Sequence, residues 1–446
     1  VTRVVIDEAV FHVGTTPDYL AMYPGAGASV TQIANTPGIS GGLSGSLISL
    51  GGALYALGSA SVGTTGTLTW SGNNVNVPST GSIIYVNYTY TAPTTQYDPY
   101  LASDKTLIKA RYGEESNTTG LLTIGGSIVL ENGSPAVMLV QAAGSTYVEA
   151  AYKAAIDKLQ KKDNIEQLIL LFPSGSVTRA QQETLLTYAM THVLTMSNNG
   201  KERGLMCGSP STTFVADGFD TIGDATTSGT YVYRANALSN RNVTYVVPSY
   251  CTRVNASGVT MVLDGNYAAA AVAGVQAAQS LRSTPIGGFT VTGITLLDEK
   301  WNDFEMNQLG AGDCLVLDSK SGVITIRDAI TTDGTSADTQ EISVVATQRL
   351  VKRSVRTALN NTYVGKGVVI TTNTPSHVEA TAAAILQTLV NSNEIAAFGN
   401  VDNPSTGEVK ISAKQNSSEP RQIDLTFSYK PLYPLKFLNV TISVYI

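Results

Sequence analysis

The chain has 446 residues, 43% of them hydrophobic and 14% charged, with a formal net charge of −6. That length supplies roughly two to four packed domains, and the apolar content excludes a disordered polymer despite the low charge. The negative balance argues against a nucleic-acid partner held by a global basic field, and there is no run of about 18 apolar residues to predict a membrane-spanning helix.

The opening stretch, VTRVVIDEAVFHVG, has strand propensity but no turn or partner strand close behind it. It lacks a basic region followed by a long apolar stretch, so no export signal is expected. Residues 24–64 are rich in Gly and Ser and predict turns and short strands. From Thr65 to Tyr90, GTLTW, the turn signal Ser71-Gly72-Asn73-Asn74 and the alternating SIIYVNYTYT read as a small all-β module closed by Ala92-Pro93.

A different rhythm begins near Tyr97. VMLVQ (137–141) predicts a buried strand, followed by a helix with Thr146 as N-cap and Glu149 three residues on. Val148, Tyr152, Ala155, Ile156 and Leu159 fall on one face of that helix. QLILLF (167–172) reads as a continuous apolar strand, and Thr178 with Gln181 opens a second capped helix carrying Leu185, Leu186, Val193 and Leu194. GLMCG and VTYVVPS add short apolar strands, and the Ala-rich helix at Tyr267 to Ala278 implies close packing. Strands apolar on both faces, alternating with helices, indicate a layered α/β domain with a mainly parallel sheet.

From about Pro285 the chain mixes strands (FTVTGIT, DCLVLD, GVITIRD) with two helices. The first runs from about Thr347 to Leu359. The second starts at Thr374-Pro375-Ser376, with Val378, Ala382, Ile385 and Leu389 on one stripe and Gly399 beyond its end. VKISAK and QIDLTFSY then predict alternating strands.

The last segment, PLKFLNVTISVYI, places Leu438, Val440, Ile442, Val444 and Ile446 on one face and Asn439, Thr441, Ser443 and Tyr445 on the other. A lone strand of this kind must join a sheet, either of its own chain or of a neighbour. Arg349, Lys352, Arg353 and Arg356 sit at i, i+3, i+4 and i+7, which gathers four cations on one helix face. That stripe is either a solvated surface or a docking face for an acidic partner whose grip weakens with salt.

Nothing in the sequence forms a catalytic or metal-binding constellation. The three histidines, His12, His192 and His377, read as structural, and no HExxH, CxxC or strand-turn-helix GxSxG is present. Cys207, Cys251 and Cys314 are widely spaced and read as buried thiols in a reducing cytoplasm. Gly365-Lys366-Gly367 lacks the flanking residues of a phosphate loop, and Asp298, Glu299, Asp303 and Glu305 read as a surface loop. An enzyme is not expected, and no cofactor or metal is implied.

From residue 242 onward the order of segments is distinctive. VTYVVPS, AAAAVAGVQA, TPIGGFTVTGI and MNQLGAGDCLVL lead into GVITIRDAITTD, followed by VVATQRLVKRSVRTALN, HVEATAAAILQTLV and LNVTISVYI. This order resembles the contractile tail sheath family of phage tails and contractile injection systems. The resemblance implies an α/β and α+β multidomain chain: an N-terminal arm at 1–20, an outer all-β module at 21–95, an α/β domain at 96–285, a tube-proximal sheath body at 286–425 and a C-terminal arm strand at 426–446. It further implies hexameric rings stacked as a helical polymer around a tail tube protein, with baseplate and tail terminator proteins at the ends and no nucleic acid or membrane insertion. Strands would be exchanged between copies through Val4, Val5 and Ile6 at one end and Leu438, Val440, Ile442, Val444 and Ile446 at the other. By the same analogy Arg349, Lys352, Arg353 and Arg356 would face the tube. Such a subunit would be assembled in the host cytoplasm and reside in the virion tail, with contraction driven by energy stored at assembly. A surface-array or adhesin-like shell protein would share the low charge and β modules, and should carry an export signal.

Overall fold

The computed structural model describes residues 97–116, 120–143, 147–172, 177–208, 222–248, 250–255, 257–297, 301–399 and 410–434, and before residue 97 the backbone of nine strands. Its contacts divide the chain into two compact units, residues 1–98 with 143–145, and the remainder.

The first unit is all β among its described residues, in line with the module read from Thr65 to Tyr90. β1 (Arg3–Val4), β2 (Ala9–His12) and β4 (Ala28–Ile33) all pair antiparallel with β9 (Ile83–Tyr90). β8 (Thr67–Ser71) lies between β3 (Asp18–Tyr19) and β7 (Ser59–Val62), and β5 (Leu47–Leu50) pairs with β6 (Ala53–Ala56). The first strands of the chain thus share a sheet with the last strand of the module.

The second unit is organised by a five-stranded sheet in the order β12 (Gln167–Ile169), β13 (Gly204–Gly208), β14 (Val243–Val247), β18 (Leu315–Lys320), β19 (Val323–Asp328). The first four strands are parallel, and β19 closes one edge antiparallel through a tight turn at Ser321-Gly322, both at positive φ. Two of the five strands come from beyond residue 285, so the sheet joins segments that the sequence reading assigned to separate domains.

Alternate residues of the sheet serve two cores. Leu205, Cys207, Val243, Tyr245, Val247 and Val316 face one, shared with α3 (Glu149–Lys158), α4 (Arg179–Asn198), α5 (Tyr231–Leu238) and α7 (Asp303–Ala311). Met206, Val246, Leu315 and Leu317 face the other, with α2 (Leu121–Glu131) and α6 (Gly265–Ala278). A parallel sheet covered on both faces is why these strands read as unbroken apolar runs. α6 is buried from Gly265 to Gln276 because it lies between this sheet, α2 and a smaller sheet of β16 (Thr260–Asp264), β15 (Tyr250–Val254) and β17 (Leu296–Leu297). Its small residues permit that approach: a Cβ on Gly274 would lie 2.7 Å from the Val129 carbonyl oxygen and 2.8 Å from the Asn132 Cβ.

Around this centre, α1 (Lys105–Tyr112) packs on α2, while β10 (Tyr100–Ala102) pairs with β11 (Val137–Leu139) outside the main sheet. The short α8 (Ala337–Gln340) leads into α9 (Ile342–Thr362), which packs against α10 (Thr374–Asn391). Val351, Val355, Ala382, Leu386 and Leu389 form their common core, with β20 (Ile395–Phe398), β23 (Tyr429–Pro431), β21 (Ser412–Gln415) and β22 (Ile423–Thr426) alongside.

Most expected elements are present, and the exceptions have local causes. The capping box of α4 forms as read: the Thr178 hydroxyl accepts from the Gln181 N–H, and the Gln181 side chain accepts from the Thr178 N–H. The box expected at α3 does not cap that helix. Thr146 lies outside the described residues, and the N-cap is Val148, which offers no side-chain acceptor. FTVTGIT is not a strand, because Gly288 and Gly293 adopt positive φ and break the extended run. It follows β19 as an irregular edge through Gly288 N–H to Ile326 O and Val291 N–H to Ile324 O. Asp303 and Glu305 lie in the first turn of α7 rather than in a loop, where Glu305 and Asn302 form a capping box.

Replacing Gly274 by Val should force α2 and α6 apart and cost about 1–3 kcal/mol. Urea unfolding of the full chain measures this, and an unchanged midpoint would show that the helix pair has slack.

Candidate functional site

The four cations of α9 have one face but three different surroundings. Glu166 and Glu202, which immediately precede β12 and lie two residues before β13, meet them at the N-terminal end of the parallel sheet. Glu166 lies 3.5 Å from both Arg349 and Arg353, and 3.9 Å from Arg282. Arg353 also donates to the Glu202 carbonyl at 2.8 Å, and Arg356 pairs with the Glu202 carboxylate. The Glu202 side chain is only 2% exposed and that of Arg349 6%. A Cβ on Gly204 would lie 2.2 Å from the Arg349 guanidinium, so that position has no room for a side chain. Burial, ahead of any charge, lowers the Arg349 pKa, as expected for a cation removed from water. The acidic partner of Arg349, Arg353 and Arg356 is therefore supplied by the chain itself.

Lys352 has a different setting. It is exposed, forms no ion pair among the described residues, and has Arg241 and Arg356 as like-charged neighbours. Burial first, and then the Arg241 charge, lower its pKa. Arg241 is likewise exposed and forms no ion pair among the described residues. These two cations form no ion pair of their own among the described residues, and the Glu202 charge offsets only part of the repulsion on Lys352.

A second buried arginine adjoins this joint. Arg203 donates to the carbonyls of Leu159, Lys162 and Lys201 and to the His192 Nε2 at 3.1 Å. Arginine only donates, so Nε2 accepts and the proton resides on Nδ1. Burial and then the Arg203 charge push the His192 pKa down to about 4, consistent with a neutral imidazole. Its role is structural, as its place in α4 suggested. His377 is exposed in α10, and the side chain of His12 lies outside the description.

Arg253, on β15, uses its donors on Glu115, Glu131 and the Gly293 carbonyl at 2.7–3.0 Å, and Lys105 also pairs with Glu131. These groups line a cavity of about 310 Å³ with Lys109, Asn255 and Thr295. Lys109 is paired with Glu114, so each cation of the cavity has a carboxylate partner within the fold. Asp264 is a buried acid without a cationic partner. It caps α6 by accepting from the Asn266 N–H at 2.9 Å, and burial pushes its pKa up to about 7. Tyr267, whose own pKa burial raises, and Tyr152 lie within its field, and no cation acts on it.

Among the described residues no group of three or more His, Cys, Asp or Glu could hold a metal. No described helix is long and apolar enough to cross a membrane. The three cysteines are buried and unbridged, and burial pushes the Cys207 thiol up to about 12. The backbone of Val4 pairs with Thr89 of the same chain. Val5, Ile6, Leu438, Val440, Ile442, Val444 and Ile446 lie outside the described residues.

No family model matches the chain. It is 25% identical over 375 residues, 82% of its length, to the tail sheath protein of Mycobacterium phage Bxz1, and spans 59% of that relative. Its fold is similar to the helical sheath of the anti-feeding prophage in its contracted state, with a TM-score of 0.56 at 11% identity over 79% of this chain and 90% of that one. It is similar also to the contracted PVC sheath complex of an extracellular contractile injection system, with a TM-score of 0.54 at 11% identity over 78% of this chain and 86% of that one. The resemblance to contractile sheath proteins drawn from the order of sequence segments is borne out by both kinds of comparison.

Two predictions follow from the buried charges. Glu166→Gln removes the carboxylate shared by three arginines and should cost about 3 kcal/mol, whereas Lys352→Glu should stay within about 0.5 kcal/mol. Equal losses in urea unfolding would refute the assignment of inner and outer cations. The second concerns pH. Asp264 has a folded-state pKa of about 7 against an ordinary 3.8, so it lowers stability as pH rises through that window. His192, at about 4 against 6.5, lowers stability as pH falls through its own window. The two slopes oppose each other. Asp264→Asn keeps an N-cap and should turn a nearly level profile into one that rises from pH 4 to 7 by about 3 kcal/mol. Identical profiles for the two proteins would reject the buried, protonated carboxyl.

Proposed function

We propose that this chain is a structural subunit of a contractile tail sheath, which polymerises as stacked six-membered rings around a tail tube and shortens to drive that tube through a host envelope. The observation that carries the reading is 25% identity over 82% of the chain to a phage tail sheath protein. The fold likeness to two contracted sheaths accords with it. In this reading the chain catalyses no reaction. Its partners are further copies of itself, the tube protein, and the baseplate and terminator proteins at the two ends. It is assembled in the host cytoplasm and resides in the tail. The free energy of contraction is set aside during assembly, when subunits are templated on the tube with fewer contacts than they later make, and is released as rings rotate and close up.

Connectivity during that motion is assigned to the terminal strands. Val4, Val5 and Ile6 at one end, exchanging the own-chain pairing of Val4 with Thr89 for a neighbour's sheet, and Leu438, Val440, Ile442, Val444 and Ile446 at the other, would complete sheets of adjacent copies. Each added ladder bond contributes about 1 kcal/mol net, and each buried branched side chain about 1.5–3 kcal/mol. Contact with the tube is assigned to the basic side of α9. The internal pairing of Arg349, Arg353 and Arg356 moves the weight of that contact to Lys352, with Arg241 beside it.

Electron microscopy of the full chain, purified with and without tube protein, tests the proposal. Ordered tubular sheaths are expected, and material that stays monomeric at high concentration with tubes present would overturn it. Removal of residues 435–446 should leave a folded chain that no longer polymerises, and long sheaths from that truncation would defeat the arm model. Lys352→Glu combined with Arg241→Glu should weaken assembly on tubes most at low salt, while leaving the unfolding midpoint in place. Assembly unaffected at every salt concentration would remove the docking assignment.

A further inference from the structure

The sequence contains the dipeptide Asn-Gly twice, at Asn132-Gly133 and Asn199-Gly200, and the fold uses both in the same way. Each closes a helix. Asn132 ends α2 with φ −86° and ψ 14°, and Asn199 ends α4 with φ −85° and ψ 7°. The glycines that follow have φ of +87° and +83°. The Gly133 N–H donates to the Leu130 carbonyl at 3.0 Å, and the Gly200 N–H to the Ser197 carbonyl at 3.2 Å. The next residues, Ser134 and Lys201, reach back to the carbonyls of Val129 and Met196. The two helix ends are therefore built alike, with glycine in the left-handed position that it takes at no steric cost.

The asparagine side chains differ. The Asn132 Nδ2 donates to the Ile128 carbonyl at 2.8 Å and to the Thr292 carbonyl at 2.9 Å. Its Oδ1 accepts from the Thr292 N–H at 2.8 Å and from the Thr292 hydroxyl at 3.2 Å. Asn199 is exposed, and its side chain has no hydrogen-bond partner among the described residues. One amide is fastened and the other is free.

Glycine after asparagine exposes the amide to attack, because no Cβ shields the following peptide nitrogen. That nitrogen adds to the side-chain Cγ. The N–Cγ bond forms, the Cγ–Nδ2 bond breaks, and Nδ2 leaves as ammonia with the proton given up by the peptide nitrogen. Water then opens the five-membered imide at either carbonyl. One opening yields aspartate, and the other yields isoaspartate, whose main chain runs through Cβ and Cγ. At these ψ values the glycine nitrogen is turned away from the side chain, so ring closure needs the last helical turn to open. At Asn132 it needs the four hydrogen bonds of the side chain to break as well.

We infer that Asn199 is the labile amide of this chain, cyclising with Gly200 and ageing to aspartate and isoaspartate, while Asn132 is preserved by the hydrogen bonds of its side chain. The chemistry needs water alone, with no partner and no assembly. Its product bears on the joint at α9. A Cβ on Gly200 would lie 2.8 Å from the Arg356 Cδ and 2.9 Å from its Nη1, so the Asn199–Gly200 peptide runs against the arginine that pairs with Glu202. Aspartate adds a carboxylate beside that arginine, and isoaspartate also lengthens the main chain there by a methylene.

Peptide mapping of the full chain by mass spectrometry, during incubation in mildly alkaline buffer, tests this. Acid products should accumulate at 199 at least about 10-fold faster than at 132. In chain unfolded by guanidinium the two rates should converge to within about 2-fold, since the fold no longer distinguishes the two dipeptides. Asn199→Gln, which keeps an amide but would have to close a six-membered ring, should remove most of the acidic species that anion exchange separates from the aged protein. Equal conversion at 132 and 199 in the folded chain, or conversion at 132 alone, would overturn the inference. So would a difference that persists after unfolding, because its cause would then lie outside the side-chain hydrogen bonds. Aspartate at 199 without isoaspartate would reject the imide route.

Discussion

The second unit depends on burying a parallel sheet on both faces. Parallel strands come with helical crossovers that cover them, and here the cover is nearly complete: β13 and β14 have no exposed residue, and α6 is enclosed for most of its length. Two consequences run through the rest of the fold. Apolar side chains must point both ways along each strand, which gives two cores in place of one. Polar groups caught between the layers must find partners inside, which explains why so much of the chain's small charge complement is spent on interior pairs such as Arg253 with Glu115 and Glu131.

The α9 joint is the same constraint at the margin of the sheet. Glu166 and Glu202 lie where the crossovers enter β12 and β13, and without the arginines of α9 Glu202 would lose its ion pair and Glu166 would keep only Arg282 at 3.9 Å. Those arginines would in turn be a repelling row without the carboxylates. Each set makes the other tolerable, and together they fix the helical C-terminal part of the unit to the sheet.

How much of this was legible in the sequence depended on range. Several signals that act over a few residues were reliable: the Thr178–Gln181 box, the apolar runs at 204–208 and 243–247, and the small-residue helix of α6; the box expected at Thr146 and Glu149 was not. FTVTGIT misled because Gly288 precedes it and Gly293 interrupts it, both at positive φ that only a three-dimensional context selects. The basic stripe was correctly placed on one face, but its meaning was hidden, because Glu202 is separated from Arg353 by 151 positions and from Arg356 by 154. Nothing local marks an acid such as Asp264 as enclosed without a cation. The segments on which strand exchange rests, at 5–6 and 435–446, lie beyond what the structure describes.

Under the proposed sheath assembly, the internal neutralisation of α9 bears on what kind of object would enter the polymer. Charges that answer one another within a single molecule are shielded from the surrounding ion atmosphere, so the shape of the subunit is settled before it meets a neighbour and stays the same in dilute or concentrated salt. In that proposed assembly the lattice would respond to its medium only through the few groups left over at its seams. A building block of fixed form, joined by adjustable seams, lets a long assembly change length without any of its parts being remade.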